Sequence, residues 1–314
     1  TSPQFFCACA GFLASVALRS PWVFELRDLW PESIVAVGAI ENSFIIGTLE
    51  TIECFLYRDA DRIVSVTEAF KDKLARRGIP AEKIDIITNG IDPTEWEAAD
   101  KTQAREKLQL PEDDFIVSYV GTHGMAHNLE TLFQAAELTQ NDDAIHFITV
   151  GDGAEFEKLK RLREKKGLAN VSMLGQVPRE QAQLYLQASD ASVVLLRDSD
   201  LFRTVIPSKI FEAMAVGNPV VLGVDGEARS IVEEAEAGIF VEPENARYLA
   251  DAICKLRNNP GRAEELGQNG RQAVRQQYDR KRLAGRMLDC LQDTANQRDR
   301  AEEAENVEAS FSKV

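Results

Sequence analysis

RTVIPSKIFEAMAVGNPVVLGVD, residues 203–225, is the stretch whose reading decides the fold. A loop ends at Pro207, an apolar helix follows, Gly217-Asn218-Pro219 breaks it, and a β-branched run, VVLGV, comes next. Proline suits the first turn of a helix because its missing amide hydrogen has no partner there. Glycine suits the exit because it accepts a left-handed backbone. Ser208 is expected as the N-cap, its hydroxyl accepting from a first-turn amide. Lys209 and Glu212 are three apart, so they lie near one face of the first turn and a half. A cation and a carboxylate beside a helix N-terminus suit a ligand that is phosphate at one end and diol at the other.

Outward from this stretch the pattern is regular. From Asp114 the runs FIVSYVG, AIHFITVGDG, VSMLG, ASVVLLR, PVVLGV and GIFVEP alternate with helical stretches such as AEFEKLKRLREKKG and REQAQLYLQAS. Continuous apolar strands alternating with helices predict a parallel sheet covered on both faces. Right-handed crossovers make such a sheet doubly wound. Ahead of it, WEAADKTQAREKLQLPEDD is polar and reads as a linker region and the opening of this domain. Behind it come NARYLADAICKLRNNP and GRAEELGQNGRQAVRQQYDRKRLAGRMLDCLQD, both helical, then TANQRDRAEEAENVEASFSKV, a frayed helix or disordered tail.

Residues 1–100 are less regular. TSPQFFCACAGFLASVALRS reads as a loop and a buried helix, and WVFEL as a strand delivering RDLWPES to its carboxyl end. Ligands of open α/β sheets sit beyond those ends, so Arg27, Asp28, Trp30 and Glu32 form a candidate cleft loop. The structural alternative is an Arg27–Asp28 pair with Trp30 packed. SIVAVGAIENSFIIGTLETIECFLYRDADRIVSVTEAF reads as helical segments, the strand RIVSV and a helix starting at Thr67-Glu68. Ile45, Leu49, Ile52, Phe55 and Leu56 recur at helical spacing, either as core or as a face touching a bilayer or lipid-linked acceptor. KIDIITNGID reads as a strand ending in a turn. Asn89 and Asp92 either face the cleft or serve the turn.

Size and charge narrow the function. The chain has 314 residues with 44% apolar content, enough for two cores. Its formal net charge of -15 excludes a broad nucleic-acid surface. The five cysteines show no CxxC spacing, which fits a reducing cytosol without a disulfide framework or structural zinc. No run reaches the length of a membrane span. YVGTHGMAHNLETL places Gly121, Thr122, Gly124 and His127 at the first strand–helix turn of the second domain. Strand, glycine turn and helix N-terminus together make an anion site. His127 reads either as a phosphate donor or as a helix-start residue.

The runs PSKIFEAMAVGNPVV, GEARSIVEEAEAGIFVEPEN, RDLWPES and NGID resemble the retaining glycosyltransferases of family 4, in the branch that builds bacterial surface polysaccharides. The resemblance implies an α/β fold of two Rossmann-like doubly wound domains facing a cleft (GT-B), the first incomplete at its N-terminus. Residues 1–102 are then the acceptor-side domain, 103–277 the donor domain, 278–296 a helix crossing back, and 297–314 a polar tail. It implies transfer of a sugar, with retention, from a nucleoside diphosphate sugar to a glycan or lipid-linked glycan. The donor is expected to be UDP-linked, an N-acetylated hexosamine being one option. No cofactor or metal is expected, and the place is the cytoplasm, at or near the inner face of the membrane. A nucleotide-sugar epimerase or hydrolase and a non-catalytic donor-binding module are the alternatives.

Roles carry over residue by residue. Glu212 matches the glutamate that accepts from both ribose hydroxyls, and Val177 the backbone that meets the base. Many relatives carry an Arg and a Lys in the first glycine turn. Here Thr122 and the Ala126-His127 region stand instead, leaving Lys209, Arg203 and helix dipoles to meet the diphosphate. The family's second glutamate, eight positions before Glu212, is Thr204 here. Glu227 is a further donor-side residue. Asp28 and Lys209 are the expected catalytic pair, with Arg27, Trp30, Glu32 and Asn89 on the acceptor side. Asp198-Ser199-Asp200 looks like a metal-holding D-x-D, but the relatives bind diphosphate without metal.

Overall fold

The computed structural model describes residues 1–2, 5–32, 42–96 and 100–311, with side chains described as far as Gln297. The helical reading of residues 33–41 and the middle of the expected linker, 97–99, lie outside the described residues, as do 312–314. The chain forms two units, Thr1–Asn89 with Lys281–Val314, and Gly90–Arg280. The first crossing falls ahead of the 102/103 boundary read from the sequence. Ile91 and Trp96 explain the difference, since both are buried in the core of the second unit with Leu186, Phe211 and Tyr278.

The first unit holds a parallel sheet in the order β1 (Val23–Leu26), β2 (Arg62–Ser65), β3 (Ile84–Ile86). Helix α1 (Phe5–Leu18) precedes β1, and α2 (Ser43–Asp59) and α3 (Glu68–Arg76) flank β2. Thr67 caps α3 by accepting from the Phe70 amide at 3.1 Å. The sequence predicts α1 as a buried helix. The structure buries only Phe5 and Ala8, and Phe6 is 78% exposed. This helix is apolar on every side, and its ring contacts to Trp30, Trp22 and Phe55 cover only part of it. The apolar stripe on α2 divides likewise: Leu56 is buried, while Ile45 and Phe55 are exposed.

Glu53 on α2 is buried in this unit. It accepts from Tyr57 Oη at 2.5 Å and Arg77 Nη1 at 3.1 Å. Arg77 also reaches Glu32, which pairs with Lys73. The loop after β1 is thereby tied to α2 and α3.

The second unit opens with α4 (Lys101–Leu108) and contains a six-stranded parallel sheet. The strands are β4 (Phe115–Val120), β5 (Ile145–Val150), β6 (Val171–Met173), β7 (Ala191–Leu195), β8 (Val220–Gly223) and β9 (Gly238–Phe240). Their order is β6-β5-β4-β7-β8-β9. The chain winds outward from β4 through β5 to β6, then returns to pair β7 with the other side of β4. This is the doubly wound sheet that the alternation predicts, and its direction reverses between β4 and β7. The helices α5 (Glu130–Leu138), α6 (Phe156–Lys166), α7 (Arg179–Gln187), α8 (Lys209–Val216), α9 (Glu227–Glu234), α10 (Ala246–Asn258) and α11 (Pro260–Gln277) complete it. Helix α12 (Arg280–Phe311) leads back into the first unit, and its backbone stays helical through the expected polar tail to Phe311.

Helix α8 is short, so its packing sets its position. Ile210, Phe211, Ala213 and Met214 are buried beneath it. Gly217 ends it with φ 81°, and Arg271 Nη2 donates to the Val216 carbonyl at 2.6 Å. Gly267 and Gly270 on α11 bring the two helices into backbone contact: a Cβ on Gly267 would overlap the Gly217 carbonyl oxygen.

Two outcomes follow from this packing. Gly267→Ala has no room to relax between two backbones, and should destabilise the second unit by about 2–4 kcal/mol in urea unfolding. A loss under about 0.5 kcal/mol, the range of an ordinary surface change, would contradict the contact. Burial, opposed by the bonds from Tyr57 and Arg77, raises the Glu53 carboxyl to about 7 from its ordinary 4.5. A group bound more tightly to its proton when folded stabilises fully below the unfolded value, and loses that contribution as pH rises toward 7. The thermal midpoint should therefore fall between about pH 4.5 and 7, and Glu53→Gln should flatten that fall.

Candidate functional site

The reversal between β4 and β7 puts two loops side by side at the carboxyl ends of the strands, where open α/β sheets bind ligands. The first loop begins at Gly121 with φ 142°, where a side chain on the glycine would overlap Lys209. It continues through a 3₁₀ turn, Met125–His127, to α5. The second runs from Leu196 through the 3₁₀ turn Phe202–Thr204 into α8. A cavity of about 670 Å³ opens there. Its lining includes Trp96, Gly121, Thr122, His127, Arg179, Phe202, Ile206, Ser208, Lys209 and Glu212.

Ser208 does not cap α8 as expected. Its dihedrals are already helical, and its hydroxyl makes no capping bond. The turn starts one residue earlier, because the Pro207 carbonyl accepts from the Ile210 amide at 3.1 Å. Lys209 therefore lies within the first turn, with its stem against Gly121.

The ammonium of Lys209 sits 3.2 Å from His127 Nε2 and 5.0 Å from the centre of the Tyr119 ring. Among the described residues it makes no ion pair. Burial lowers it to about 8, and Glu212 opposes that shift. Burial, and then the charge of Lys209, lower His127 to about 4, so its ring is neutral near pH 7 and Nε2 can accept. Burial raises Glu212, with Lys209 and Arg179 opposing. No donor among the described residues comes within hydrogen-bond distance of the Glu212 carboxylate. Anion-binding and hydrogen-bond-accepting groups thus stand one helical turn apart on one cavity wall, each without a partner of opposite charge in contact.

His123 braces this floor. It is fully buried, and its ring is edge-on to Tyr119 and Phe156. Its amide donates to the Asp152 carbonyl at 2.9 Å, and its carbonyl accepts from the Glu155 amide at 2.9 Å. The turns after β4 and β5 are locked together.

The structure brings Gly121, Thr122, His127, Lys209 and Glu212 together on this wall. Gly124 lies just behind, as the residue before the 3₁₀ turn. Val177 packs against Ile116, Ile148 and Tyr185 and does not line the cavity. Arg203 points its guanidinium at Asp198 (2.8 Å) and Asp200 (3.3 Å), so both acids of the D-x-D and the expected phosphate cation are spent on one another. Glu227 is the first residue of α9 and is not among the lining residues. Thr204 donates to the Leu201 carbonyl at 2.7 Å.

In the first unit, Arg27 donates to Asn89 at 2.8 Å and lies 3.7 Å from Glu25. The Asp28 amide and carbonyl both meet the Ser2 hydroxyl. Trp30 stacks on Phe5 with ring centres 4.6 Å apart, and Glu32 is held by Lys73 and Arg77. Packing and ion pairing therefore occupy these two residues.

Sequence reading missed Trp96, Tyr119, His123, Arg179 and Ile206. Tyr119 and His123 flank Gly121 in the turn already singled out, and Arg179 opens the helix after β6. The rule that places ligands beyond strand ends would have reached all three. Trp96 comes from before the sheet, and no local pattern marks it. A second cavity of the same volume lies beyond the amino ends of β4, β7 and β8. Of its four cations, Lys101 and Arg105 pair with Asp190, Arg257 pairs with Asp142, and Arg271 donates to the Val216 carbonyl.

Comparison with known proteins places the chain. The family model for "Glycosyl transferases group 1" matches residues 100–273, and that for "Glycosyl transferase 4-like domain" matches residues 2–90. The chain is 25% identical over 252 residues to the probable glycosyltransferase WbjE of Pseudomonas aeruginosa, covering 78% of this chain and 62% of that protein. It is 31% identical over 217 residues to a D-inositol 3-phosphate glycosyltransferase of Rhodococcus jostii, covering 66% of this chain and 47% of that one. It thus spans less than two thirds of these relatives. Among solved structures, HepE (Alr3699) of Anabaena in complex with UDP superposes with a TM-score of 0.78 at 22% identity, covering 92% of this chain and 77% of that chain. The same protein has been solved with UDP-glucose. The sucrose-phosphate synthase of Thermosynechococcus elongatus superposes with a TM-score of 0.71 at 24% identity, covering 91% and 71%. These neighbours share the fold of two Rossmann-like domains known as GT-B.

A buried ammonium without a counter-ion costs stability. Its folded value of about 8 lies below the ordinary 10.5, so the cost is present below pH 8 and fades as pH rises toward 10.5. Lys209→Met should therefore stabilise the ligand-free protein by about 1–2 kcal/mol at pH 7, with the gain shrinking above pH 8. A lower thermal midpoint for the variant at pH 7 would contradict this account.

Proposed function

The chain belongs to the glycosyl transferases of group 1, and on that premise we propose that it moves a sugar from a UDP-linked donor to a glycan or lipid-linked glycan acceptor, with retention and without a metal. One observation carries the donor assignment: Lys209 and Glu212, a turn apart on α8, line one cavity with no ion pair among the described residues. Lys209 would meet the diphosphate, together with the amides of the Gly121 turn and the N-terminus of α8. Glu212 would accept from the ribose hydroxyls, and UDP is assigned because HepE was solved with it. As the bond to the anomeric carbon breaks, its electron pair passes to the diphosphate. A fixed ammonium in a water-poor wall stabilises that charge without rearrangement.

On the acceptor side, Asp28, Arg27 and Asn89 are the residues we assign. Trp30 and Glu32 hold their loop through Phe5, Lys73 and Arg77. Contact with the inner face of the membrane is proposed for α1 and α2, supported by exposed Phe6, Leu13, Phe44 and Ile45. No helix among the described residues is long and apolar enough to cross a membrane. Family membership favours transfer over the epimerase, hydrolase and non-catalytic alternatives.

The donor site is tested by calorimetry with UDP-glucose. Losing a charge-assisted bond of roughly 1.5–3 kcal/mol, Glu212→Ala should bind at least about tenfold more weakly, while Asp200→Ala should bind like the parent protein. Unchanged affinity in the Glu212 variant would remove the basis for the reading.

A further inference from the structure

Lys209 and His127 are two bases in contact, 3.2 Å apart, on a cavity wall. One of them must accept, so the pair carries a single charge while it stays bonded. The groups around it do not change that. From β4 the face is the Tyr119 ring, and from the turn behind it the buried imidazole of His123. From α8 the face is Glu212, which acts on Lys209 by charge without contact, and from α7 it is Arg179, which acts on Glu212. Asp152 on the β5 turn acts on His123. Arg197, after β7, is engaged with the Met125 carbonyl at 2.7 Å. Among the described residues, no carboxylate is in ion-pair contact with either base.

A diphosphate brings two negative charges to this wall, and the pair can offer only one positive charge. We propose that binding of the nucleoside diphosphate donor drives uptake of a proton from solvent onto His127, so that Lys209 and His127 give up their mutual bond and both donate to the diphosphate. The inference rests on the donor-site reading above and adds a proton to it. In the ligand-free protein, burial and Lys209 keep the imidazole neutral. Opposite charge within a few ångströms reverses that balance, because it favours the protonated form of both bases. The Gly124 backbone beside the ring favours its protonated form, so it does not oppose the uptake. Burial lowers His123 as well, and it lies off the cavity lining. Donor affinity therefore falls as pH rises toward neutrality, below the value of about 8 at which Lys209 is half deprotonated in the ligand-free protein.

The test is isothermal calorimetry of the protein with UDP-glucose at pH near 6.5, in buffers that differ in ionisation enthalpy. The diphosphate diester of this probe gains or loses no proton near that pH, so a buffer-dependent heat reports the protein. The expected result is net uptake of between about 0.5 and 1 proton per donor bound, with affinity dropping several-fold from about pH 5.5 to pH 7. His127→Gln keeps a hydrogen-bonding group beside Lys209. It should bind UDP-glucose more weakly, with uptake reduced to near zero. Binding with no buffer dependence, or uptake that persists in His127→Gln, would overturn the proton coupling and leave the donor site standing. Failure of the parent protein to bind UDP-glucose would overturn both.

Discussion

An ammonium group held out of water without a carboxylate beside it is the constraint on which the second unit turns. Lys209 has a neutral imidazole at one side and an aromatic ring beneath. Neither cancels its charge, so the site keeps an attraction for anions that a salt bridge would have consumed. Around Arg203 the opposite has happened: two aspartates take up its guanidinium. The contrast separates a cation available to a ligand from one built into a loop.

Holding such a group takes structure at some distance from it. The stem of Lys209 fits because residue 121 has no side chain. Helix α8 sits at its height because α11 meets its far end through glycines and Arg271 caps its last carbonyl. The floor is fixed by His123, which joins the turn after β4 to the turn after β5. Close packing transmits position in this way because a small shift at one end of a short helix has nowhere to dissipate.

The first unit is built differently. Its sheet has three strands among the described residues, and α1 and α2 leave large apolar side chains exposed. Its firmest polar feature is the chain from Tyr57 through Glu53 and Arg77 to Glu32, which anchors the loop after β1. That anchoring explains why Glu32, read from sequence as facing a ligand, is used by the fold instead.

Much of this was legible in the chain itself. Alternating apolar runs and helical stretches fixed the doubly wound sheet, because burial on both faces leaves no other use for continuous β-branched runs. Proline and glycine marked the ends of α8, and three-residue spacing put Lys209 and Glu212 on one side of it. Partnership was not legible, since it depends on which side chains meet across strands far apart in sequence. Only the folded chain decided that Lys209 lies against His127, that Arg203 turns to Asp198 and Asp200, and that Trp96 joins the cavity wall. Local sequence sets the backbone's period and its breaks, whereas charge neutralisation and burial are settled by packing, which brings together residues that no local pattern connects.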